Sequence, residues 1–183
     1  MSESKNIPSV IHAASLQNPD KVAVVEGNMR TTYRQLDEKI TACARAFLAA
    51  GIGEGDRVGL WAPNSIEWIV IALGIQSVGA ALVPINTRYK SGEASYPLGK
   101  TEASMLFSAN GFMGIEGEQA ADKAMQDMGT KIRTIDLNGE KDSEHSWNSF
   151  LSRGVNIDDA QRLDALSKVS SATLCDIMFT SGS

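Results

Sequence analysis

Apolar residues recur at Ile7, Val10, Ile11 and Ala14, a spacing that predicts a helix over residues 7–16, ended by Asn18-Pro19-Asp20. The β-branched run at 22–25, the turn signal Glu26-Gly27-Asn28 and residues 29–31 predict a small hairpin. Thr32 and Gln35 stand at capping-box spacing, where a hydroxyl and an amide each satisfy a free backbone N–H at a helix start. Tyr33, Leu36, Ile40, Cys43, Ala44, Phe47 and Leu48 then hold one apolar face for four turns, and Gly51 suits the C-terminal stop.

Residues 58–61 predict a strand, Ala62-Pro63-Asn64-Ser65 a turn with Asn64 or Ser65 as cap, and residues 66–78 a second helix. Trp68, Ile69, Val70, Ile71, Leu73 and Ile75 make that helix apolar on nearly every side, so it belongs between layers. A strand at 81–84, a helix at 91–101 and a strand at 104–108 follow. This alternation predicts an α/β fold, a largely parallel sheet flanked by helices and joined by right-handed crossovers. Pro97 removes one backbone bond inside the 91–101 helix, and a kink is expected there. Further along, the pattern predicts a helix at 119–128, a strand at 131–137 and a polar loop at 138–145. A small amphipathic turn at Trp147, Phe150 and Leu151, a short helix near 160–166 and a last strand at 174–179 complete the chain.

At 183 residues, 43% hydrophobic and 21% charged, the chain fits one globular domain. The net charge of -5 comes with no basic stripe, which argues against nucleic acid as a partner. The longest apolar stretch, 66–83, is broken by Glu67, Gln76 and Ser77, so no transmembrane segment is expected. Residues 1–8 hold no apolar signal core, and a soluble, cytoplasmic protein is the expectation. Cys43 and Cys175 lack metal or redox spacing and are expected to be buried free thiols.

The last stretch sets an apolar strand, Asp176-Ile177-Met178-Phe179, directly before Thr180-Ser181-Gly182-Ser183. Hydroxyls around a glycine supply phosphate donors without bulk, because glycine lets successive N–H groups converge on one anion. Taken alone, these residues more often make an ordinary polar turn after a strand than a phosphate cradle. Phe179-Thr180-Ser181-Gly182-Ser183 resembles, however, the opening of the Thr-Ser-Gly-[Ser/Thr]-Thr-Gly-x-Pro-Lys-Gly loop of the adenylate-forming (AMP-binding) superfamily. Upstream, Thr32-Tyr33-Arg34-Gln35-Leu36 resembles that family's Thr-Tyr-x-Glu-Leu helix start, and Gly55-Asp56-Arg57-Val58 its Gly-Asp-x-Val strand entry. Residues 79–89, Gly-Ala-Ala-Leu-Val-Pro-Ile-Asn-Thr-Arg-Tyr, are similar to the acyl-CoA synthetase version, since peptide-synthetase domains usually carry Asp where Asn86 stands.

The resemblance implies the N-terminal piece of an enzyme of the acyl-CoA synthetase / fatty-acid–CoA ligase branch, with fatty, aromatic and steroid-derived acids all open as substrates: residues 1–183 as a partial AMP-binding domain, cut at the start of its phosphate-binding loop. It implies ATP, Mg2+ and coenzyme A for the parent enzyme, a small carboxylic acid as substrate, and an acyl-adenylate intermediate. Thr180, Ser181, Gly182 and Ser183 are the positions it assigns to the ATP phosphates. No catalytic or metal-ligating residue transfers to this chain, and the fragment by itself is expected to be inactive. The alternative is a self-contained binding or regulatory protein that keeps the first subdomain. A fragment is expected to leave the helix at 66–78 uncovered, or covered by the missing portion or a neighbouring chain, whereas a free-standing protein would be polar there. A dinucleotide-dependent oxidoreductase lacks its glycine fingerprint, since Gly51-x-Gly53-x-Gly55 follows a helix and precedes a strand, as a tight turn does. His12 and His145 have no triad or metal spacing. Trp61, Trp68 and Trp147 suit a core better than an acyl pocket, and Asn86-Thr87-Arg88-Tyr89 suits positioning of the next helix.

Overall fold

The computed structural model describes residues 6–180. Helix α1 (Ile7–Gln17) leads into a hairpin of β1 (Val22–Glu26) and β2 (Met29–Thr32), then α2 (Tyr33–Ala49). The capping box expected at Thr32 is formed, with Gln35 N–H donating to Thr32 Oγ1 and Thr32 N–H to Gln35 Oε1. Strand β3 (Arg57–Trp61), helix α3 (Ile66–Ser77), strand β4 (Ala81–Pro84), helix α4 (Ser91–Lys100) and strand β5 (Met105–Ser108) alternate as expected. Helix α5 (Gly117–Met128), strand β6 (Arg133–Asp136), α6 (Trp147–Ser152) and α7 (Asp159–Lys168) follow.

Four strands form one parallel sheet in the order β4-β3-β5-β6. Side chains alternate across it, as the pleat requires. Val58, Leu60, Met105, Phe107 and Leu82 join α2, α3 and Phe150 in one core, while Trp61, Leu106 and Ile85 join Ala94, Leu98, Ala120 and Ala124 of α4 and α5 in another. The result is three layers. Gly154 lies against α2 because a Cβ there would stand 2.6 Å from Ala46 N.

Several expectations change. Residues 174–179 do not form a full strand: the segment joins the sheet by a single parallel bridge between Leu82 and Asp176, because it lies at an edge with a neighbour on one side only. For the same reason Cys175 is half-buried, whereas Cys43 is fully buried. Helix α3 is largely covered within this chain, nine of its twelve residues being buried against α1, α2 and the sheet, while Trp68 and Ile69 are half-buried. No described helix is long and apolar enough to cross a membrane.

Candidate functional site

Parallel strands place all their carboxyl ends on one side, here at Trp61, Pro84, Ser108 and Asp136. The chain winds from β3 outward in both directions, and ligands in such sheets bind outside the carboxyl ends near the reversal.

The segment that carries the predicted phosphate loop reaches this same end. Leu82 N–H donates to Cys175 O (2.8 Å) and Ile177 N–H donates to Leu82 O (2.8 Å), a parallel pairing that sends the chain the way β4 runs. Gln76, at the end of α3 and 7% exposed, donates Nε2–H to Asp176 Oδ1 (3.2 Å). Phe179 meets the ring of Tyr96 on α4 edge to face, with centroids 6.0 Å apart. Thr180 then stands exposed beyond the carboxyl end of β4. Ser181, Gly182 and Ser183, the other three predicted phosphate-binding residues, lie outside the described residues.

The 85–90 loop also leaves the sheet at the carboxyl end of β4. Ile85 N–H donates to Leu60 O (3.0 Å), the fully buried Trp61 donates Nε1–H to Asn86 O (3.1 Å), and Asn86 Oδ1 accepts from Arg88 N–H (3.0 Å). Lys90 N–H donates to Glu93 Oε2 (2.9 Å), which closes the start of α4. The stretch 86–89 thus positions α4, as expected. At the end of β5, Asn110 Oδ1 accepts from Ser108 Oγ–H and from Gly117 N–H, both at 2.9 Å, and fixes the first turn of α5.

Elsewhere, His12 Nδ1 lies 2.9 Å from Asp37 Oδ2, a partner 25 residues away that sequence spacing does not reveal. Ser15 Oγ–H donates to His12 O and to Asp37 Oδ2, so the hydroxyl bonds the carboxylate and not the imidazole, and no activated nucleophile results. His145 Nδ1 approaches Thr134 O at 3.3 Å. Among the described residues no group of three or more His, Cys, Asp or Glu is gathered as metal ligands.

The sequence pattern of AMP-binding enzymes matches residues 11–183. The chain belongs to the AMP-binding enzyme family. It is 30% identical over 182 residues, all but one of its own length, to the 3-[(3aS,4S,7aS)-7a-methyl-1,5-dioxo-octahydro-1H-inden-4-yl]propanoyl:CoA ligase of Mycobacterium tuberculosis. The ligase of that name from Rhodococcus jostii is 32% identical over 179 residues, or 96% of the chain. The chain spans 35% of the length of each of these relatives. In fold it is similar to a long-chain-fatty-acid-CoA ligase from Archaeoglobus fulgidus (TM-score 0.75, 20% identity, 98% of this chain and 35% of that one). It is also similar to the N-terminal domain of FACL13 from M. tuberculosis (TM-score 0.65, 25% identity, 98% and 42%).

Within this AMP-binding enzyme chain, motif spacing leads to Thr180 but not to the residues that touch the segment before it. Gln76 and Tyr96 lie 100 and 83 positions from Asp176 and Phe179, respectively, on helices whose patterns mark them only as helical positions.

Proposed function

We propose that this chain is the N-terminal part of an ATP-dependent acyl-CoA ligase, its residues 1–183 running to the opening of the phosphate-binding loop. One observation carries the reading: residues 175–177 pair with β4 in parallel, so the chain runs on to Thr180 towards the carboxyl end of the sheet, where open α/β sheets hold ligands.

In the reaction, a carboxylate oxygen of the acid attacks the α-phosphorus of ATP, forming the acyl-adenylate as the bond to pyrophosphate breaks. The thiolate of coenzyme A then attacks the acyl carbon and AMP leaves. Thr180 offers a hydroxyl donor to the phosphates, and Ser181, Gly182 and Ser183 continue the cradle by the family pattern. Magnesium, when bound, would neutralise phosphate charge. A fatty acid is the proposed substrate class, in keeping with the acyl-CoA synthetase form of residues 79–89. Chemistry that develops charge on several phosphate oxygens needs cations on more than one side, so the chain alone is inactive.

The decisive measurement is acid-dependent exchange of pyrophosphate into ATP by the longer protein that contains this chain. Exchange with fatty acids is expected there, and none with residues 1–183 alone. Thr180→Ala raises the KM for ATP about tenfold or more, the worth of one hydrogen bond to a charged group. A longer protein without exchange, or turnover by the short chain, overturns the reading. The burial of α3 within this chain favours a second reading, a self-contained non-catalytic binding or regulatory protein, and a reading frame that ends after Ser183 would decide for it.

A further inference from the structure

We infer that Tyr96 is a positioning residue for the start of the phosphate-binding loop, its ring holding Phe179 so that Thr180 leaves the sheet in a fixed direction. The inference rests on the reading of Thr180 as an ATP contact.

Main-chain pairing stops short of the loop. The last bond from the segment to β4 is Ile177 N–H to Leu82 O, and among the described residues nothing hydrogen-bonds to residues 178–180. Met178 is 76% exposed and Thr180 is exposed. The Tyr96–Phe179 ring contact, edge to face at 84°, therefore supplies the specific hold between the ladder and the hydroxyls.

Tyr96 is suited to that task by where its helix is fixed. Its neighbours Ser95 and Pro97 are buried, and Ala94 and Leu98 are packed into the core on the α4 face of the sheet with no exposed surface. The backbone of residue 96 is thus rigid, while its side chain remains 54% exposed, an unusual position for a large aromatic ring unless it meets something at the surface. It meets Phe179. Among the described residues its hydroxyl has no hydrogen-bond partner, so the ring is the working part.

Thr180 follows Phe179 directly, and rotation at Phe179 swings its hydroxyl. A misplacement of about 1 Å costs a reacting geometry on the order of 10²-fold, whereas an aromatic pair adds little to stability. Tyr96 should consequently matter more for ATP than for folding.

The test uses two variants, Tyr96→Ala and Tyr96→Phe, in the longer protein. Tyr96→Ala is expected to lower kcat/KM for ATP in pyrophosphate exchange about tenfold with the KM for the acid unchanged, and Tyr96→Phe to stay within about twofold of wild type. Wild-type behaviour of Tyr96→Ala overturns the inference, as does a Tyr96→Phe defect equal to that of Tyr96→Ala, which would make the hydroxyl a ligand contact. Hydrogen exchange on the same protein reads the device without activity. Tyr96→Ala is expected to speed exchange of the Ile177 amide, the last one bonded to β4, several-fold, leaving β3 and β5 unchanged, with Tyr96→Phe like wild type. Unchanged exchange at Ile177, or acceleration throughout the sheet, overturns it. Failure of wild type to exchange pyrophosphate sinks the ligase reading, while the hydrogen-exchange comparison still decides whether Tyr96 holds the segment.

Discussion

Cys43 sits where α2 crosses α3, and the contact is so close that a Cβ on Gly74 would lie 2.6 Å from its sulfur. The side chain has no exposed surface, and burial pushes its thiol well above the ordinary range. An unfolded cysteine ionises near about 8.5, so below that pH both states keep the proton and this group adds no pH dependence. Above it, the unfolded chain releases a proton that the folded chain retains, and stability falls as pH rises. The urea midpoint is therefore expected to drop between about pH 7 and pH 9.5, and to drop less in Cys43→Ala. Cys175 is raised too, first by partial burial and then by the Asp176 carboxylate, but it sits at the sheet edge. Sequence marks both as unpaired thiols; only the packing separates them, because burial depends on what lies on the far side of each residue.

At the scale of elements, α3 shows what local pattern can and cannot decide. Its all-round apolar character places it between layers, and there it lies. Either Asn64 or Ser65 fits as its cap; the structure selects Ser65, whose Oγ accepts from Trp68 N–H at 3.0 Å. A second acceptor was not legible: Glu26 Oε2, from the end of β1, takes Ile66 N–H at 2.7 Å and ties the hairpin to the helix. Loss of one cap typically costs about 1 kcal/mol, so Ser65→Ala is expected to lower unfolding stability by about that amount in urea titrations, with Glu26 retaining part of the end. The segment at 174–179 is the converse. Its apolar run predicts a strand, yet β4 offers it one short partner and nothing pairs its other side among the described residues, so a single bridge results.

For the whole molecule, the sheet is shared by two cores, with α2 and α3 on one face and α4 and α5 on the other. β3 and β5 lie inside it, paired on both sides, and the segment at 174–180 lies at the rim. Protection should follow that order. Native-state hydrogen exchange is expected to be slowest in β3 and β5 and much faster at 174–180, and equal protection across these segments would contradict the edge placement.

Sequence alone determined the alternation of strands and helices, the parallel sheet, the capping box at Thr32 and the family motifs, among them the hydroxyl run from Thr180. Each of these is written in neighbouring residues or in a short period, where backbone sterics and side-chain spacing act directly. Tertiary structure decided that α3 is largely covered within the chain, that the last segment is an edge, and that Gln76 and Tyr96 reach Asp176 and Phe179. Those contacts join residues about a hundred positions apart. They exist only once the crossovers have brought α3 and α4 alongside β4, and no local period records that approach.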